Sequence, residues 1–238
     1  MMAGSGDRLI SSIVTDSYEL VDGAWPSAYD EAVLVLSDKN TLPATTLYRL
    51  GLMRFGTYTA SLQRIGDGEN PESFEFDYRA ALDHTFSLAA ACDMYLTNED
   101  GTFSYVSPTS DRMEEVLSGA LTLKITGIIR PAEGAENANL GTGIAYTSAL
   151  TRYVIAHTDE SPVVLAQEAD PSVNVMTGKA FPEESGTSGV SSFLVPKATY
   201  EDNLEAFGKV YTDTPSSISL YADSFEAKDR IAECLTRY

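Results

Sequence analysis

Leu121-Thr122-Leu123-Lys124-Ile125-Thr126-Gly127-Ile128-Ile129 alternates apolar and polar side chains over its first six positions. That is the period of a strand with one face in a core and one in water, and it is expected to end before Pro131. Upstream, Glu31-Ala32-Val33-Leu34-Val35-Leu36 is a short apolar and β-branched run between Trp25-Pro26 and the turn signal Asp38-Lys39-Asn40. It reads as a buried strand. Helical signals lie between and beyond these strands. Pro43 opens a stretch carrying Leu47, Leu50 and Met53, with Gly51 near its end. Thr147 to His157 places Leu150, Tyr153, Val154 and His157 at i, i+3, i+4 and i+7. Pro162 opens a helix that ends near Asp170-Pro171, and Thr199 to Phe207 is a further short one. Strands and helices in this mixed order give an α+β fold.

The other segments are read by the same rules. Thr85 to Leu96 is expected as a strand, Thr97 to Gly101 as a turn and Thr102 to Val106 as its hairpin partner. Phe74-Glu75-Phe76 reads as a short strand within a mixed region spanning residues 55 to 82, and Gly66 to Pro71 as a loop. Thr109 or Ser110 is placed to cap a helix from Asp111 to Leu117, with Glu114 completing a capping box. Residues 131–143 and 177–192 are loops by composition. At the end of the chain, Ser217 to Tyr221 alternates as a strand. Asp223 and Glu226 form a capping box there, and Ala227, Ile231, Leu235 and Tyr238 line one helical stripe.

Composition narrows the function. The 238 residues are 43% hydrophobic, enough for a sizeable core. Sixteen Lys and Arg against 35 Asp and Glu give a net charge of −19. Such a field repels phosphate backbones and anionic membrane surfaces, which excludes nucleic-acid binding from the expected partners. No run is long and apolar enough to span a bilayer: Phe86 to Leu96 is about half the required length and contains Asp93. Met1 to Asp7 lacks the apolar stretch of a signal peptide and is expected as a linker. Cys92 and Cys234 do not make a disulfide framework. They are expected as small buried side chains, with a single long-range bridge as the alternative.

The chemistry-bearing residues form no motif. His84 and His157 lie on different expected elements, without the i, i+4 partner of helical zinc sites, and His157 is expected as a boundary histidine closing an apolar stripe. No G-x-S-x-G elbow occurs, and Gly186-Thr187-Ser188-Gly189 falls in a loop. Gly141-Thr142-Gly143 lacks the third glycine of a dinucleotide fingerprint, Tyr146 standing in its place, and is expected as a loop capping a helix. Asp93, Asn98, Glu99 and Asp100 do not have calcium-loop spacing. The pairs Glu114-Glu115 and Glu183-Glu184 are what an acidic chain produces by chance. No catalytic residue, metal ligand or cofactor is therefore expected, and no binding residue is assigned.

Four stretches together resemble the extracytoplasmic domain of MacB-like ABC transporter permeases in the form common in Gram-positive bacteria. The first is Tyr18-Glu19-Leu20-Val21-Asp22-Gly23-Ala24-Trp25-Pro26 with Tyr29-Asp30-Glu31-Ala32-Val33-Leu34-Val35. The second is Leu47-Tyr48-Arg49-Leu50-Gly51-Leu52. The third is Leu123-Lys124-Ile125-Thr126-Gly127-Ile128-Ile129-Arg130-Pro131, followed by Gly143-Ile144-Ala145-Tyr146-Thr147-Ser148-Ala149-Leu150. The fourth is Ile218 to Leu235, including Asp223-Ser224-Phe225-Glu226-Ala227-Lys228. Their order and rough spacing agree with the family over nearly the whole chain.

The resemblance implies a non-catalytic domain on the extracytoplasmic face of the cell membrane, inserted between the first two transmembrane helices of a permease. It implies a linker at 1–17, a β-rich middle subdomain with helical insertions at 18–210, and at 211–238 the strand and helix that close a small α/β subdomain. The opening strand and helix of that small subdomain are short here unless residues 8–16 supply them, which would leave Ile218 to Tyr221 at a sheet edge. The implied partners are the rest of the permease and its ATP-binding subunit, with peptide, lipoprotein or small-toxin cargo. Two other readings stand beside it: a secreted or surface-anchored binding module unrelated to transport, and a cell-envelope hydrolase. The hydrolase needs a cleft joining His84 or His157 to a serine and a carboxylate.

Overall fold

The computed structural model describes residues 1, 3–4, 8–70, 74–82, 84–135, 138–182, 199–213 and 225–236. Along these residues run α1 (Ser12–Ser17), β1 (Tyr18–Gly23), β2 (Glu31–Val35), α2 (Ala44–Arg49), α3 (Phe55–Gly66), β3 (Thr85–Leu88), β4 (Tyr95–Thr97), β5 (Phe103–Tyr105) and α4 (Met113–Ser118). Then follow β6 (Leu121–Pro131), β7 (Gly143–Tyr146), α5 (Ser148–Asp159), α6 (Pro162–Ala169), β8 (Val173–Asn174), β9 (Lys179–Ala180), α7 (Tyr200–Ala206) and α8 (Phe225–Thr236). The fold is α+β around a mixed five-stranded sheet.

β6 organises that sheet. Its eleven residues are long enough to hold two strands end to end on one edge. β3 pairs antiparallel with Leu121 to Lys124, and β1 pairs antiparallel with Gly127 to Pro131. On the other edge β2 runs parallel to Lys124 to Ile129, and β7 adds antiparallel beyond β2. Pro131 stays within the strand, contrary to the sequence expectation. Its missing N–H costs the β1 ladder nothing, because Ala132 N–H reaches Ser17 O at 3.0 Å.

Burial explains the two hydrophobic patterns. β6 alternates only at its start, and from Gly127 to Ile129 every residue is buried. Ala32 to Leu36 is at most 2% exposed. Both faces of the sheet centre are therefore covered. Val33, Val35 and Ile129 pack under Ile10 and Val14 at the start of the chain. Leu34, Leu36, Ile125 and Ile128 pack on the opposite side with Ala81 and half-buried Leu50 and Leu52. Leu150 of α5 covers Ala32 and Leu123. Each such Leu, Ile or Val contributes roughly 1.5–3 kcal/mol when fully buried. The opening stretch expected as a linker through residue 17 includes α1, capped by Ser11 and holding Val14 in this core.

Two glycines set the fit between β1 and β6. Gly23 and Gly127 are register partners. A Cβ on Gly127 would lie 2.3 Å from Ala24 O, and one on Gly23, whose φ is +77°, would lie 2.3 Å from Thr126 O. Only glycine at both positions admits this approach, which Ala24 N–H to Thr126 O at 2.7 Å closes.

A second core forms beside α5. Cys92, Phe103, Val163, Val164, Leu204 and Phe207 are buried together, with Val154 of α5 packed against them. Buried Gln167 holds this region by polar bonds: its amide donates to Val173 O at 2.8 Å, and its Oε1 accepts from Asn203 Nδ2 at 2.7 Å.

Several local expectations need correction. Thr85 to Leu96 is not one strand. It breaks into β3, a 3₁₀ turn over Ala91–Met94 and β4, because Asp93 turns back to accept the Ala90 N–H at 2.7 Å. Phe74 to Phe76 is irregular, and residues 55 to 66 are helical. α4 starts at Met113 without a side-chain cap, since Ser110 Oγ accepts instead from Arg112 N–H in a local turn. The β4–β5 hairpin forms as expected, as do α5, α6 and α7, the last with a Thr199/Asp202 capping box. In α8, Ala227 and Ile231 are half-buried and Leu235 is exposed. The expected strand Ser217 to Tyr221, Asp223, Tyr238, Glu183-Glu184 and Gly186 to Gly189 lie outside the described residues.

Candidate functional site

Among the described residues, the chemistry-bearing side chains that converge are Cys92, Asp93 and His157. Their ligand atoms all lie within 4.8 Å of one another. Cys92 and Asp93 come from the 3₁₀ turn that interrupts the expected strand, and His157 from the last turn of α5. Asp93 is held at both oxygens. Oδ2 accepts from Ala90 N–H, and Oδ1 lies 2.7 Å from His157 Nε2. The imidazole is oriented by rings: it lies nearly parallel to Tyr153, 6.0 Å between centroids, and Tyr153 stacks on Tyr29 at 4.5 Å. The helical stripe expected to end in a boundary histidine thus delivers Leu150 to the core and His157 to a carboxylate. His157 remains 38% exposed.

Cys92 is 2% exposed. Its Sγ lies 3.8 Å from Asp93 Oδ1 and 3.7 Å from Thr158 Oγ1. Burial pushes this thiol up; the charge on Asp93 adds to that, and hydrogen bonds with Thr158 and Ser161 oppose it. Beside the cluster is an open cleft of about 410 Å³, whose lining includes all three residues with Glu115, Glu160 and Ser161.

This arrangement differs from a nucleophile–base relay. Such a relay needs an exposed, activated nucleophile on the imidazole nitrogen that does not face the acid. Here the thiol is buried and held in its protonated form, and Ser161 Oγ donates to Thr158 O at 2.8 Å within the helix junction. The donor set of one thiol, one imidazole and one carboxylate suits a divalent transition metal instead.

The other candidates do not join the Cys92–Asp93–His157 cluster. His84 packs edge-on against Phe86. Asn98 and Asp100 bond to Ser104 and Thr102 inside the hairpin turn, apart from the Asp93 cluster. Gly141 to Gly143 leads into β7 rather than capping α5, whose N-cap is Thr147. Glu115 pairs with Arg112 at 3.2 Å. Both cysteines are free thiols, Cys92 buried as expected and Cys234 exposed. Sequence spacing could not reveal a pair 64 residues apart. The available signal was Asp93 itself, an acid inside an otherwise apolar run.

Compared with known proteins, the chain matches no family model, no curated protein and no solved structure. Among the described residues no helix is long and apolar enough to cross a membrane.

Proposed function

We propose that this chain is the extracytoplasmic domain of a MacB-like ABC transporter permease, and that it transmits ATP-driven movement to the outer face of the membrane. One observation carries the reading. The first and third of the resembling stretches are far apart in sequence, yet they form neighbouring strands of one sheet. Tyr18 to Gly23 is β1, Glu31 to Val35 is β2, Leu123 to Pro131 lies within β6 and Gly143 to Tyr146 is β7. Their glycines meet as the Gly23–Gly127 pair, and Glu31 ties the Trp25-Pro26 loop to β2 by accepting from the N–H groups of Ser27 and Ala28. The motifs are scaffold motifs, as a mechanical role requires: a sheet packed on both faces moves as a rigid body. The partners in this reading are the membrane helices of the permease, its ATP-binding subunit and a cargo whose approach favours positive charge.

The coding region on both sides of this segment tests the proposal. Membrane helices flanking it, with an ATPase domain or chain encoded alongside, are the expected result. A signal peptide and a stop codon without such helices would overturn it in favour of a secreted binding module.

A further inference from the structure

We propose that Cys92, Asp93 and His157 form a site for a single zinc-like divalent cation, with its fourth position open to the adjacent cleft. The inference is independent of the permease reading. Three ligand types favoured by zinc meet where two would suffice for an ordinary hydrogen bond. A His–Asp contact alone accounts for the 2.7 Å pair, but it gives no reason for a buried sulfur 3.8 Å from the same carboxylate oxygen.

The distances suit an ion. With metal–ligand bonds of about 2.0–2.3 Å, tetrahedral ligand atoms lie roughly 3.2–3.8 Å apart. The Cys92–Asp93 separation already does, at 3.8 Å. The His157–Asp93 pair must open from 2.7 Å by roughly half an ångström, and the Cys92–His157 pair, within 4.8 Å, must close by about an ångström or less.

The supports are of the kind that orient metal ligands. Ala90 N–H fixes the far oxygen of Asp93 and leaves Oδ1 facing the other two groups. The Tyr29–Tyr153–His157 column fixes the imidazole plane. Glu160 on the cleft wall adds negative charge on the side from which an ion enters, while Glu115 on the same wall is paired with Arg112. On binding, the ion displaces the thiol proton to water, and the Nε2 proton that His157 shares with Asp93 moves to Nδ1 of the neutral ring by tautomer exchange through water, so that Nε2 is free to ligate the ion. The fourth position then holds water or a ligand from the cleft.

Cobalt(II) titration of the intact chain under reducing conditions tests this, with zinc calorimetry for stoichiometry. The expected result is one ion per chain, a near-ultraviolet thiolate-to-cobalt band, and visible bands of tetrahedral intensity. Cys92→Ser should abolish the thiolate band, and His157→Gln should weaken zinc binding by at least tenfold. Cys234→Ser, which removes the exposed thiol, should change neither. Thermal unfolding of each variant without metal verifies its fold, and zinc should raise the midpoint of the wild type but not of Cys92→Ser. No thiolate band, a band that disappears with Cys234→Ser but survives Cys92→Ser, or zinc binding indifferent to both Cys92 and His157 would each overturn the proposal.

Discussion

Replacing Gly127 by alanine tests the idea that the β1–β6 approach is set by two facing glycines. The added methyl would sit 2.3 Å from Ala24 O and 3.0 Å from Ala24 C. A carbon–oxygen contact relaxes only beyond roughly 3.2 Å, so β1 or β6 must move by nearly an ångström. Overpacking of this kind costs about 1–3 kcal/mol. The shift also strains the Ala24 N–H to Thr126 O bond, a net contribution of about 1 kcal/mol. Against this, alanine restricts the unfolded chain and returns about 0.4–1 kcal/mol. The expected net loss is about 1–3.5 kcal/mol, which for a chain of this size lowers the melting midpoint by roughly 2–14 °C. Urea unfolding followed by far-ultraviolet circular dichroism gives the free energy. Fluorescence of Trp25, the only tryptophan, reports on the same corner of the sheet. Gly141→Ala is the control: a Cβ there meets nothing within 4 Å, and the change should be neutral or stabilising by up to about 1 kcal/mol. If Gly127→Ala were as stable as the wild type, the close approach would not constrain this sheet.

Other outcomes follow from the polar contacts. The Glu31 carboxyl is held below its ordinary value of 4.5, chiefly by the Ser27 N–H. Its contribution is therefore complete above that value and lost as the pH falls through the lower folded value. Glu31→Gln should cost about 1 kcal/mol near neutrality, and its unfolding free energy should converge with that of the wild type between about pH 6 and about pH 3; a gap that widens with acid would contradict the assignment. Gln167→Leu removes the amide that bonds Val173 O and the carbonyl that accepts from Asn203. It should cost about 2–3 kcal/mol in denaturant unfolding, and a neutral result would show that leucine packing replaces the network.

The sheet centre was legible in the sequence because burial on both faces leaves a continuous apolar run. Ala32 to Leu36 carries that mark. α5 was legible through its stripe and α6 through Pro162 at its first turn. α3 was not, because no side chain of Phe55 to Gly66 is buried, so no core demand wrote a clear pattern into it. The region from Thr85 to Leu96 misled for the opposite reason. Its composition suits a strand throughout, and one side chain, Asp93, redirects the backbone through a bond to Ala90 that no periodicity encodes. The same residue is one of the three that meet at the site. Its partner His157 was visible as the end of a stripe, but the meeting of the two depends on where α5 crosses the turn, a tertiary fact. The four resembling stretches were visible as a set, whereas the meeting of the first and third of them in the sheet around β6 required the fold.

The double pairing of β6 also has a kinetic meaning. At Gly127 to Ile129 this strand is bonded along both edges, to β1 and to β2, and shielded on both faces. Its amide protons can reach solvent deuterium only when the whole sheet parts, so their exchange reports the global unfolding free energy. The amides of α3, whose side chains all face water to some degree, open by local fluctuations that leave β6 intact. The slow clock of the molecule therefore sits in the same three residues that join the two ends of the sheet.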